Sequence, residues 1–252
     1  MATHRGTVPR APAPLLAAIA AAWALAIAGH ETGVAHALHH DTLIEGGHLG
    51  PGGVALFLAA WVAMVVAMML PSSLPLVRLF GEAASRQPRA VAARGSFLAG
   101  YVLVWTAFGA AAFAFDGAVH ATVDAWPWLA RHDWLIGANL LVVAGAFQFT
   151  PLKYACLDRC RAPGAFLLRH YRRGARNALA MGARHGAHCV GCCWALMLVM
   201  FAAGVASLVW MALLTTIMVH EKTHATGRRA VPLTGAAALG LASILVVWGA
   251  SA

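Results

Sequence analysis

Long apolar runs, separated by short polar segments, dominate the pattern of hydrophobic and polar positions along the chain. A helix that crosses a bilayer needs about 20 mostly apolar residues, and seven of the runs approach that length. The pattern therefore predicts an all-α protein, a polytopic membrane helix bundle with about seven transmembrane helices. The predicted spans cover residues 14–29, 53–70, 96–115, 134–151, 189–203, 205–220 and 231–248.

The fifth and sixth spans come from one uncharged stretch of the chain. Residues 189–219 contain no Asp, Glu, Lys or Arg, and this stretch is too long for a single span. We therefore expect a turn at residues 204–207 that divides it into two short helices.

The composition is typical of a membrane protein, and the distribution of charged residues predicts how the bundle is oriented. The chain is 61% hydrophobic and only 11% charged, whereas soluble domains carry about 25% charged residues. Lys and Arg are enriched in cytoplasmic loops. With a cytoplasmic amino terminus, 17 of the 18 Lys and Arg residues lie on the cytoplasmic side and only Arg131 lies outside. The net charge of +9 thus reflects the orientation of the bundle in a membrane and gives no reason to expect nucleic acid as a partner. The predicted partner is the lipid bilayer.

The same pattern indicates a single domain. Residues 1–13 are polar and proline-rich and are predicted to form a disordered cytoplasmic tail. Residues 14–250 form one transmembrane helical domain. We expect the first helix to remain uncleaved, because its removal would leave six spans that still need the same cytoplasmic loops.

All five cysteines lie at the cytoplasmic level of the predicted bundle, where thiols stay reduced. Residues four apart on a helix share a face, so Cys156 and Cys160 should point together after the fourth span. At the start of the fifth span, the same spacing produces two adjacent stripes of thiols and imidazoles. Those stripes are His185, Cys189 and Cys193, with His188 and Cys192 beside them.

These side chains are candidate metal ligands. Thiolates select Cu(I), Zn(II) or iron–sulfur clusters; four such groups can close a tetrahedral zinc site, and two or three suit Cu(I). The candidate ligands are Cys156, Cys160, Cys189, Cys192, Cys193, His185 and His188. Two alternatives stay open: buried thiols can simply fill space, and the C-x-x-C pair of Cys189 and Cys192 is compatible with thiol redox chemistry.

Other polar or soft side chains are secondary candidates. Met64, Met68 and Met69 lie in the second span, with Met64 and Met68 four apart on one face, and could offer thioethers, although methionine is also an ordinary packing residue. An outer loop carries His36, His39 and His40, which could collect metal or be exposed without ordered geometry. Glu221 and Lys222 end the sixth span, where ionisable residues indicate either function or anchoring.

No catalytic signature accompanies these groups. The chain contains no Walker pattern, no G-x-S-x-G elbow and no kinase motif. The pattern therefore favours a binding or transport protein over an enzyme.

Several motifs resemble the DUF2182 family, bacterial proteins described as predicted metal-binding integral membrane proteins. The similarity covers about residues 53–222 and is carried by "MMLPS" at 68–72, "FQFTPLKYACLDRCRAP" at 147–163 and "MGARHGAHCVGCCWALM" at 181–197. The resemblance implies metal binding by the five cysteines and a multi-pass protein of the bacterial inner (plasma) membrane.

The sequence thus predicts a membrane protein that binds a soft metal, with copper(I) favoured over zinc, for metal transport, delivery or homeostasis. A metal-delivery protein or a membrane enzyme is an expected partner. Two alternatives are a membrane thiol oxidoreductase that uses Cys189 and Cys192, and an assembly subunit with a structural zinc.

Overall fold

The described part of the chain is entirely helical. The computed structural model describes residues 13–33, 50–203 and 207–251, and the predictions for the tail at 1–12, the outer histidines His36, His39 and His40, and the turn at 204–206 lie outside these ranges. Within them, eleven helices and no strand are present. The helices are α1 (Ala13–Glu31), α2 (Pro51–Met68), α3 (Leu70–Ser85), α4 (Ala90–Ala125), α5 (Pro127–Ala130), α6 (Trp134–Phe147), α7 (Pro151–Arg161), α8 (Pro163–His170), α9 (Ala175–Ala203), α10 (Leu208–Thr223) and α11 (Gly227–Ser251).

Four of the described helices, α1, α2, α4 and α11, are long and apolar enough to cross a membrane. Helices α6 and α7 together would make a fifth span, although a bend of 66° separates them. The all-helical fold and its membrane-like helices agree with the prediction, whereas the count of about seven spans is not confirmed.

The two predicted spans that are not among these candidates lie in α9 and α10. Helix α9 begins at Ala175, well before the expected start at residue 189, and continues without a break to Ala203. Its first half carries Arg176 and Arg184, both exposed, so only its second half is uniformly apolar. Helix α10 has 16 residues, which is short for a span.

Two prolines lie at the helix breaks next to the sulfur-rich region. Proline lacks a backbone N–H and is well tolerated only in the first turn of a helix. Pro71 therefore starts α3 directly after α2, leaving Met69 at the junction. Pro151 starts α7, and the Thr150 hydroxyl caps this helix by accepting a hydrogen bond from the Lys153 amide at 3.3 Å.

Helix α9 lies against α4 at close range because small residues line the crossing. A Cβ atom at Gly100 would collide with the carbonyl oxygen of Leu179, and one at Gly182 would collide with that of Phe97. Small residues let membrane helices approach backbone to backbone. This crossing fixes the depth of the three α9 cysteines relative to Tyr101 of α4.

Aromatic side chains pack α2 against α4. Phe57 of α2 stacks on Phe113 of α4, with ring centroids 4.3 Å apart. The Trp61 indole donates a hydrogen bond to the carbonyl oxygen of Trp105 at 2.9 Å. The Trp61 ring also packs against Phe201 of α9, with ring centroids 5.8 Å apart, so aromatic contacts join α2, α4 and α9.

Candidate metal centre

The two cysteine-containing segments meet where α7 lies against α9. Cys160 of α7 is partly exposed, whereas Cys192 of α9 is fully buried. Their Sγ atoms are 4.0 Å apart. We call these two residues the outer pair.

The separation in the outer pair suits two sulfur ligands on one ion. A metal–sulfur bond is about 2.3 Å long for zinc. Two sulfurs on one ion then lie about 3.8 Å apart in tetrahedral geometry and about 4.6 Å apart in linear geometry. The observed 4.0 Å falls between these limits.

A second group of sulfur atoms lies deeper. The Cys193 Sγ is 3.8 Å from the Sδ of Met69, and both residues are fully buried. Cys189, one turn before Cys193 on α9, is also fully buried. We call Cys189, Cys193 and Met69 the inner site.

One lysine contacts both cysteines of the inner site. The Lys222 Nζ is 3.1 Å from the Cys189 Sγ and 3.7 Å from the Cys193 Sγ. It also donates a hydrogen bond to the Ser72 hydroxyl at 3.2 Å. Because Lys222 is only 5% exposed, its ammonium is a buried cation held against sulfur.

A chain of hydrogen bonds connects the inner site to His185. The Tyr101 hydroxyl is 3.1 Å from the Cys189 Sγ, and the Ser73 hydroxyl donates to that tyrosine at 3.2 Å. The His185 Nε2 lies 3.2 Å from the same serine oxygen, and its ring stacks on Tyr101. His185 therefore reaches the sulfur atoms through Ser73 and Tyr101.

The remaining predicted ligands lie around this cluster. Cys156 is buried, with its sulfur so close to the α9 backbone that a Cβ atom at Gly191 would be 2.6 Å from it. His188 is partly exposed and meets the edge of the Phe166 ring. Met64 and Met68 are buried in α2, and Met69, the next residue along the chain, is the methionine in contact with Cys193.

A buried ion pair lies beside the cluster. The Lys153 Nζ is 2.6 Å from the Glu221 Oε2, and both side chains are almost completely inaccessible. The guanidinium of Arg161 donates to the backbone carbonyl of Glu221. These contacts attach α7 to the end of α10, the helix that carries Lys222.

Several residues at the centre could not be assigned a role from the sequence. The sequence leaves Glu221 and Lys222 open between function and anchoring, and it assigns no role to Lys153, Ser72, Ser73 or Tyr101. A usable signal was present for Lys153, Ser72 and Ser73, because they lie in or next to the quoted motifs.

The sulfur atoms of the centre occur in groups of two (the outer pair) and three (the inner site). Over the described ranges, no group of three or more His, Cys, Asp or Glu side chains is arranged to hold a metal ion. Two cysteines with one thioether, or two cysteines alone, suit Cu(I), which prefers soft ligands. A structural zinc site would need four ligands.

The helices and the buried sulfur atoms define a class, a helical protein compatible with copper binding in a membrane. A model of the PpoB2 family, described as copper chaperone, matches residues 58–246. The chain therefore belongs to this family. No curated protein and no solved structure matches it. The matching family does not carry the name DUF2182, so that resemblance stays a prediction.

Proposed function

We propose that this protein is a membrane-embedded copper chaperone that binds Cu(I) in the inner site and exchanges it through the outer pair. The observation that carries the proposal is the 4.0 Å contact between Cys160 and Cys192, which joins a partly exposed thiol to a fully buried one. Membership of a family described as copper chaperone supports copper as the ion.

The positions of the sulfur atoms, from the partly exposed Cys160 to the buried inner site, suggest a route for the copper ion. Cys160 is the most accessible thiol of the cluster, so we assign it the first contact with an incoming ion. Cys192 is adjacent in sequence to Cys193, whose sulfur contacts Met69. We propose that an ion moves along these cysteines by replacing one sulfur ligand with the next, without release into solution.

Other predicted ligands take supporting roles in this proposal. His185 positions Tyr101 through Ser73, and Cys156 and His188 border the route. Met64, Met68 and the outer histidines His36, His39 and His40 stay predicted auxiliary sites.

The location and partners are part of the same proposal. The Lys and Arg distribution supports a cytoplasmic position for the cluster, and we assign the protein to the bacterial inner membrane. A soluble metal-delivery protein would load Cys160, and a membrane enzyme that needs copper would receive the ion.

Copper analysis of the purified protein tests the proposal. After anaerobic loading with Cu(I) in a reducing buffer and gel filtration, the wild-type protein should retain about one copper per chain, because buried thiolates bind Cu(I) tightly. A variant with all five cysteines changed to serine should retain almost none.

Circular dichroism and gel filtration must show that the serine variant remains folded. Equal copper retention by the two proteins, or none in the wild type, would contradict copper binding by these cysteines.

A further inference from the structure

The surroundings of Lys222 carry an inference about which ions the inner site accepts, and it rests on the proposed function. The Lys222 ammonium is buried and touches two thiols and one hydroxyl, at Cys189, Cys193 and Ser72. A buried cation is costly unless an opposite charge accompanies it. The sulfur atoms are the contacted groups that can become anionic.

The nearest ion pair does not change this balance. Lys153 and Glu221 form a buried ion pair 2.6 Å long, so their charges cancel each other. Arg161 is bound to the backbone carbonyl of Glu221 and, at longer range, to that of Ala225. Lys222 is therefore the cation that directly faces the sulfur atoms of Cys189 and Cys193 in the described part of the chain.

We propose that Lys222 is a specificity-determining residue that makes the inner site select monovalent over divalent soft metal ions. When a metal binds, the thiols of Cys189 and Cys193 lose their protons to the buffer and each sulfur forms a bond to the ion. The ion keeps its oxidation state, and the Met69 thioether adds a neutral ligand.

The selection follows from the charge of the filled site. Two thiolates carry two negative charges, which one monovalent ion and the Lys222 ammonium balance completely. A divalent ion would leave one positive charge uncompensated in a buried site, which is unfavourable. Without the lysine the order reverses, because two thiolates then balance a divalent ion and leave a monovalent complex anionic.

Silver(I) and cadmium(II) separate charge from softness, since both are soft ions that bind thiolates. We would titrate each ion into full-length protein in detergent, with a competing chelator, for the wild type and the variants Lys222→Leu, Lys222→Gln and Lys222→Arg. Leucine removes the charge and adds no metal ligand. Glutamine removes the charge and keeps a hydrogen-bonding group towards Ser72.

The ratio of the two dissociation constants is the result that matters. We expect each folded neutral variant to shift this ratio by about 100-fold or more towards cadmium(II), and Lys222→Arg to stay within about tenfold of the wild type. A purely structural role would weaken both ions together. An unchanged ratio in the folded neutral variants, or equal loss of both ions, would overturn the proposal.

Different results would contradict the proposed copper chaperone function and the proposed role of Lys222. Silver(I) binding by the wild type supports a monovalent soft-metal site whatever the variants do. A wild-type protein that binds neither silver(I) nor Cu(I) would overturn the proposed function itself.

Discussion

Replacement of Cys160 by serine should slow Cu(I) transfer to a chelator by about 100-fold or more, while the equilibrium affinity changes little. Cys160 is partly exposed, whereas Cys189, Cys192, Cys193 and Met69 are fully buried. Without the accessible thiol, an ion can leave only after the packed helices open locally. Such opening costs a few kcal/mol, and about 2.7 kcal/mol corresponds to a 100-fold slower rate.

Cys156→Ser is the matched control for this experiment. It lies one turn earlier on α7, but its sulfur faces the backbone at Gly191. Stopped-flow transfer to bathocuproine disulfonate should therefore be close to the wild-type rate in Cys156→Ser. If Cys160→Ser transfers copper at the wild-type rate, Cys160 is not the entrance.

Glu221→Gln should lower the free energy of unfolding by about 3–5 kcal/mol, the usual cost of breaking a buried ion pair from one side. Glutamine keeps the shape of the side chain but leaves the Lys153 ammonium, which is 2.6 Å from the carboxylate in the wild type, without an anion. Equilibrium unfolding in detergent micelles measures this change.

A surface ion pair supplies the control. Asp158 pairs with Arg228, and both side chains are about half exposed, so Asp158→Asn should change the free energy of unfolding by only about 0–1 kcal/mol. Replacing both Lys153 and Glu221 with apolar residues of similar volume should recover most of the stability, because no unpaired charge remains. Equal effects of Glu221→Gln and Asp158→Asn would show that burial does not strengthen the Lys153–Glu221 pair.

The helical fold could be predicted because its signals are local. Apolar runs identify the helices, and a spacing of four residues places Cys189 and Cys193 on one face of α9. Those rules do not reveal which helix meets which face. The contact between Cys160 and Cys192 therefore required the structure, although each residue was already a candidate.

Met69 illustrates the limit of periodicity at a helix break. Regular spacing in the second span favoured Met64 and Met68, which share a face of one continuous helix. Pro71 starts a new helix, and Met69 becomes the residue at the junction, with its sulfur against Cys193. A spacing rule that assumes one helix cannot place a side chain at such a junction.

Lys222 illustrates a second limit of prediction from the sequence. A lysine at the end of a predicted span is expected to extend towards the membrane surface. Here the side chain points inward and contacts Ser72 and two cysteines that are distant in sequence. Its burial depends on tertiary contacts between α3, α9 and α10, which no local pattern encodes.

The two alternative functions, thiol redox chemistry and structural zinc binding, would use the same cysteines in different ways. In the C-x-x-C segment, the Cys192 thiol donates to the carbonyl oxygen of Cys189 at 3.1 Å. The redox function of Cys189 and Cys192 stays a prediction, as does a structural zinc. Copper chaperone function requires no change in the oxidation state of the cysteines and no fourth ligand, so metal coordination distinguishes the three possibilities.

X-ray absorption at the copper K-edge of the Cu(I)-loaded wild-type protein tests the central claim most directly. We predict a Cu(I) edge and a first shell of two or three sulfur atoms, because the inner site offers two thiolates and one thioether. A first shell dominated by nitrogen or oxygen, or protein that retains no copper, would contradict the account.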